Sequence, residues 1–328
     1  WQFALADAAL RCRQISMAGK FVSPNVADST AILAGQRSVG ELVKHSEALS
    51  IAENLVDASV GQGATPDWLG LQLMPDGLRF RLGLINPSIY DGKVGIALFL
   101  AYASKFAKHQ VRFKLESITE QILAGVMAPL RGDEQQVKHR VIRDLGLGFN
   151  GFSGLLLALL QIDVLFPEQA EFSKYIERMI DLFDPTDIGT DTHFDLMHGA
   201  SGAIGPLLRV FHRSGDERGL SLAKACGDHV LFHQQADTGG WLQGTNTTGR
   251  PLTGLSHGAS GVAVALARLA RATSDERYLA AAERGTLYES RQFDQSEGNW
   301  PDYRAWHPSS QRSFMSTWCH GAPGIALS

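Results

Sequence analysis

The sequence predicts an all-α protein made of repeated helix pairs, with apolar helices in an inner layer and amphipathic ones in an outer layer. Three observations carry that prediction. A Gly-x-x-Gly that opens onto an apolar run occurs five times. Between these runs lie segments with capping residues and amphipathic spacing. Convincing period-two alternation is missing; "RFRLGLI" is the best strand candidate and it is short.

In chain order the five copies are "YDGKVGIALFLAYA", "GFNGFSGLLLALL", "LMHGASGAIGPLLRVF", "LSHGASGVAVALARLA" and "WCHGAPGIALS". Their leading glycines are Gly92, Gly151, Gly199, Gly258 and Gly321, separated by 59, 48, 59 and 63 residues. The third and fourth copies also agree further on. "HRSGDERGLSLA" and "RATSDERYLAAA" place Glu217 and Glu276 18 residues after their glycines, and "GGWLQ" and "GNWPD" occupy comparable places upstream. The run after each glycine pair is almost wholly apolar, as in "GVAVALARLA" (261–270), which predicts a helix buried on most faces. The second pattern of each period is amphipathic; in "TSDERYLAAAERGTLYESR" either Ser274 or Asp275 suits the N-cap. Helical hairpins repeated in this way form an open solenoid or a closed ring. Loops such as "QADTGGWLQGTNTTGRPLTG" lead into the inner helices and gather at one end. The glycines read as points of close backbone approach; a phosphate cradle is the alternative, but no copy has P-loop spacing or follows a strand.

Composition bounds the function. With 44% hydrophobic and 20% charged residues among 328, the chain can bury a sizeable core as one large domain or two. A net charge of −4 without a basic stripe argues against a nucleic-acid partner. No apolar run reaches membrane-spanning length; "GIALFLAYASKFAKH" turns basic too early. Cys12, Cys226 and Cys319 make no disulfide framework, so a reducing, cytoplasmic setting is expected, with Cys12 and Cys226 as packed thiols. The start has neither an initiator Met nor a signal peptide, which is expected of a piece of something longer.

Glycine turns of the type H-G-x-x-G, an apolar helix after each, and the late "STWCHGAPGI" together resemble the LanC-like lanthipeptide cyclases. More narrowly, "WCHGAPGI" and "YDGKVGIALFLA" resemble the C-terminal cyclase domain of class II (LanM-type) lanthionine synthetases, from about residue 50 onwards. The resemblance implies an α/α toroid of seven inner and seven outer helices, about five repeats of which are visible. It implies one bound zinc (Zn2+) and addition of a peptide Cys thiol across dehydroalanine or dehydrobutyrine to form a thioether ring. The implied partners are a dehydrated ribosomal precursor peptide and an N-terminal dehydratase domain upstream in the same polypeptide. Residues 1–328 then read as a single cyclase domain, incomplete at its C-terminus.

That chemistry needs about three protein ligands on zinc, a deprotonated thiol, and an acid/base group to protonate the enolate formed on addition. By resemblance Cys319 matches the first zinc ligand, the alternative from its turn context being a packed thiol. The other ligands, a Cys-His pair about one repeat downstream, are expected beyond Ser328. His257 matches the family's acid/base histidine, the alternative being a histidine that satisfies backbone groups at a helix start. Asp195, four residues before Gly199, matches a functional Asp that orients a histidine, or else is a plain cap. His320, His198 and Trp318 read as site lining. Family members also carry an Arg shortly before Trp-Cys; here Arg312 lies seven residues before Cys319, and Met315 four. Two other readings stand beside the cyclase: a non-catalytic helical-repeat scaffold that binds peptides, and a toroidal carbohydrate-active enzyme with Asp191 and Asp195 as paired carboxylates.

Overall fold

A computed structural model describes residues 39–61, 65–73, 79–132, 146–244, 246, 248–304 and 313–328, with side chains at all of these except 39–43 and 73. Cys12 and Arg312 lie outside the described residues. Among the described residues are eleven α-helices: α1 (Val39–Asp57), α2 (Lys93–Ser104), α3 (His109–Met127), α4 (Phe152–Leu165), α5 (Ala170–Leu182), the single turn α6 (Pro185–Ile188), α7 (Ala200–Ser214), α8 (Glu217–Phe232), α9 (Ala259–Thr273), α10 (Glu276–Arg291) and the short α11 (Ala322–Ile325). The expected two-layer arrangement is present. Helices α2, α4, α7 and α9 pack in sequence order as one row, and each packs against the helix that follows it, α3, α5, α8 or α10.

The split between layers follows from side-chain placement. In α4 the buried residues include Phe152, Leu155, Leu156, Leu159, Leu160 and Ile162, on nearly every face. Each large apolar side chain removed from water contributes about 1.5–3 kcal/mol, so the row favours the middle of the molecule. Helix α5 instead buries Phe172, Tyr175, Ile176, Met179 and Ile180, a single stripe at helical spacing. Asp216 and Asp275 cap α8 and α10, accepting from Arg218 N and Arg277 N, each at 2.9 Å. Of the two cap candidates in the fourth repeat, Asp275 is the cap. Ser274 adopts a left-handed conformation (φ 56°) and ends α9.

The second glycine of every repeat is explained by crowding. Gly95, Gly202, Gly261 and Gly324 face the carbonyl oxygens of Ile89, Leu196, Leu255 and Trp318, each six residues earlier, and Gly154 faces that of Phe149. A Cβ at any of them would overlap that oxygen, so only glycine lets the turn fold back over the first turn of its helix.

Neighbouring glycine turns also bond to one another. Gly148 N donates to His198 O (3.1 Å), Phe149 N to Leu196 O (2.8 Å) and Asn150 N to Met197 O (2.8 Å). Ser256 N donates to Cys319 O at 3.3 Å. The rings of Tyr90 in the first turn and Trp318 in the fifth lie 5.6 Å apart, so the turns follow a curved rim and not a straight row.

The all-α expectation needs one correction: two small antiparallel ribbons join the helices. Strands β1 (Leu69–Leu73) and β2 (Phe80–Leu84) pair with Leu69 opposite Leu84 and Leu71 opposite Leu82; β3 (Pro301–Asp302) pairs with β4 (Ser313–Phe314). Strand β2 lies within "RFRLGLI". Alternation over five residues is too short to outweigh the helical pattern around it, and two-residue strands have no pattern at all. Among the described residues no helix is long and apolar enough to cross a membrane.

Gly261 is the sharpest test of the crowding argument, because the Leu196 side chain also closes in on it. Gly261→Ala is expected to lose about 2–4 kcal/mol of stability in denaturant unfolding. Gly249→Ala, at φ 70° in open space, should lose only about 1 kcal/mol. Equal losses would contradict the argument.

Candidate active site

The third and fourth glycine turns meet through a carboxylate and an imidazole. Asp195 is 1% exposed, and its two oxygens have separate tasks. Oδ1 accepts the backbone N–H of His198 (2.7 Å) and of Gly199 (3.1 Å), capping its own turn. Oδ2 accepts from His257 Nδ1 at 2.8 Å and from Gln243 Nε2 at 3.0 Å. The cap and the histidine partner, alternatives in the sequence, are thus both present. Burial alone would push the Asp195 carboxyl up. The hydrogen bond and charge of His257 and the N–H of His198 outweigh it and hold the group below the usual carboxylate range. With Asp195 ionised, this bond asks His257 to donate from Nδ1, which turns Nε2 away from the carboxylate.

Three of the residues that precede a repeat glycine stack in file. The His198 and His257 rings lie 5.3 Å apart at 13°, and those of His257 and His320 lie 5.6 Å apart at 23°. His320 is 3% exposed; burial, then the nearby Arg304 guanidinium, push it down to about 4, so it stays neutral. Burial also lowers His198. Cys319 is half-buried beside this file, with Sγ 3.1 Å from Thr317 Oγ1. Its carbonyl accepts from Ser256 Oγ at 3.2 Å, which ties the fifth turn to the fourth. Trp318, half-buried, meets Tyr90. The structure therefore brings Asp195, His198, His257 and His320 together, with Cys319 and Trp318 on the adjoining turn. Cys226 is buried in α8, where burial pushes its thiol up.

The sequence did not reveal three contributors, Gln243, Glu289 and Arg304, and offered a fourth, Asp191, in another role. Gln243 donates from one nitrogen to Asp195 and to the His257 carbonyl, the latter at 2.7 Å. Asp191 accepts from the backbone of His193, Phe194 and Ala200 at 2.8–3.2 Å, so it anchors the turn and is no partner acid for Asp195. It holds Phe194 at φ 61°, a strained conformation for a bulky residue immediately before Asp195. Glu289, 2% exposed, accepts from Gly254 N (2.9 Å) and Ser260 N (3.0 Å) on either side of His257. Arg304, gripped by Asp302, places Nη2 3.2 Å from Met315 Sδ, four residues before Cys319. Only "GGWLQ" and "GNWPD", which contain Gln243 and Asp302, carried any signal.

Ligand atoms of Asp195, His198 and His257 lie within 4.8 Å of one another, a spacing a metal ion can use. The donor chemistry weighs against that use. All four hydrogen bonds that the Asp195 carboxylate accepts are already made, one of them from His257 itself, and a metal would have to displace some of them. Cys319 belongs to no group of three ligands among the described residues. Cys319 therefore finds no companions among the described residues for a zinc site, which needs about three protein ligands.

Paired helices in two layers, with a carboxylate–imidazole pair and a free cysteine on the turns at one end, define a helical-repeat protein with its candidate site on the rim. The chain belongs to the lanthionine synthetase C-like protein family, which it matches over residues 83–328, a span that contains all five glycine turns. Among curated proteins no match is found.

Glu289 supplies a test of how the His257 turn is held. Burial, opposed by the N–H groups of Gly254 and Ser260, pushes its carboxyl from an ordinary 4.5 to about 7. The folded chain binds this proton more tightly than the unfolded one, so the contribution to stability is complete below pH 4.5 and is lost as pH rises through 7. Measured against Glu289→Gln by denaturant titration, wild-type stability should fall by about 3 kcal/mol across that window. A difference that stays flat with pH contradicts the assignment.

Proposed function

We propose that this chain is the cyclase domain of a class II (LanM-type) lanthionine synthetase, acting on a dehydrated precursor peptide in the cytoplasm. In this reading residues 1–328 are one domain of an α/α toroid, preceded in the whole polypeptide by a dehydratase domain. The observation that carries the proposal is the Asp195–His257 hydrogen bond of 2.8 Å between adjoining glycine turns, with Cys319 on the next turn. Membership of the lanthionine synthetase C-like family supports it.

The chemistry asks for a proton to be taken up and returned. The substrate thiol gives its proton to His257 Nε2, and the imidazolium is stabilised by Asp195 through Nδ1–H. The thiolate sulfur forms a bond to the β-carbon of the dehydro residue, and the π electrons move to an enolate. His257 returns the proton to the α-carbon, which leaves a thioether and a neutral imidazole. His198 and His320, both neutral and stacked on either face of His257, limit water access and leave the charge to the pair. Cys319 is one ligand of the zinc that the family resemblance implies, its companions coming from residues not described here. Zinc favours the thiolate form of a bound thiol.

In the whole protein Cys319→Ala should lose zinc, read as metal stoichiometry. Asp195→Asn and His257→Ala should keep the metal and lose cyclisation by about a hundredfold or more, read by mass spectrometry of the peptide after thiol alkylation. Zinc content unchanged by Cys319→Ala would overturn the ligand assignment, and full activity in His257→Ala would overturn the acid/base one.

A further inference from the structure

The repeated motif "GGWLQ" (239–243) and "GNWPD" (298–302) marks two arms that begin alike. Trp241 Nε1 donates to Val230 O at 2.8 Å, and Trp300 Nε1 donates to Glu289 O at 2.8 Å. Val230 and Glu289 occupy the last turns of the outer helices α8 and α10. Pinned at its tryptophan, each arm carries a polar side chain two residues further on, to the next glycine turn. On the later arm Asp302 acts on His320 through its charge. On the earlier arm the contact is direct. Gln243 is 6% exposed, and its Nε2 donates to Asp195 Oδ2 at 3.0 Å and to His257 O at 2.7 Å. Both partners are acceptors, so the amide must turn its NH2 towards them.

We infer that Gln243 is a positioning residue for His257. It closes a hydrogen-bonded ring through Asp195 Oδ2, His257 Nδ1 and the His257 carbonyl, and this fixes the imidazole with Nε2 turned away from Asp195. The Asp195–His257 bond alone sets which nitrogen faces the carboxylate, but a single bond leaves the ring free to rock about its axis. The position also demands a neutral donor. A carboxylate here, as at Asp302 on the later arm, would face Asp195 with like charge and compete for the Nδ1 proton. The inference rests on the acid/base reading of His257 for its catalytic consequence, but not for its structural one.

The test uses the full chain with ¹⁵N-labelled histidine. In wild type, neutral His257 should be a single Nδ1–H tautomer by long-range ¹H–¹⁵N correlation. Gln243→Met, which keeps length without the amide, should keep that tautomer but let the ring rock, read as exchange broadening of the His257 ring signals. The same variant should lower kcat about ten- to a hundredfold with KM within about twofold. It should add little further loss on an Asp195→Asn background, where the ring is already broken. If Gln243→Met fails to fold, Gln243→Leu gives the same readouts without an added charge. Unchanged His257 ring signals in the variant, or a loss that multiplies with that of Asp195→Asn, overturns the inference. A protein that forms no thioether but whose His257 ring signals broaden in Gln243→Met overturns the cyclase reading and supports the positioning role.

Discussion

The site depends on one buried charge. The Asp195 carboxylate sits out of water, where an ion without partners would cost several kcal/mol, and it accepts four hydrogen bonds. Its donors come from three stretches of chain: its own turn, the turn that carries His257, and the arm that carries Gln243. Satisfying this charge therefore fixes three loops relative to one another. The strained backbone at Phe194 immediately before it is held by Asp191, so two carboxylates in the same turn divide the work. Asp191 shapes the turn, and Asp195 joins it to the next.

Glycine makes that junction reachable. Because each repeat lets its turn fold back onto the start of an inner helix, the residue before the leading glycine is delivered to the same rim each time. His198, His257 and His320 stack for this reason, although they are 59 and 63 residues apart in sequence. Backbone bonds between neighbouring turns keep the register. A buried, apolar inner row is a rigid base for such a rim, and rigidity is what a proton-handling pair requires of its support.

Much of this was legible in the sequence, and the reasons differ by feature. The repeat, the two layers and a cap at Ser274 or Asp275 follow from local spacing, which physics expresses within a few residues. Asp195, His257 and Cys319 were singled out by resemblance, and the structure carries them on three adjoining turns. Gln243, Glu289 and Arg304 were not found, since each acts 11 to 48 residues away from its partner or through backbone groups that leave no mark on residue type. Strand β1 was passed over because five alternating residues carry little weight beside helices of 12 to 19. The arms were visible as tryptophan-bearing repeats, yet their task depended on a hydrogen bond that only coordinates reveal.

Two uses compete for the group formed by Asp195, His198 and His257: holding a metal or moving a proton. Four hydrogen bonds already occupy the carboxylate, and the histidines beside His257 stay neutral, which together favour the proton. Zinc K-edge X-ray absorption on the zinc-loaded whole protein decides between them most directly. The account predicts sulfur in the first shell, at about 2.3 Å from zinc. A shell of nitrogen and oxygen alone would place the metal on Asp195 and its histidines and contradict the division of labour proposed for this rim.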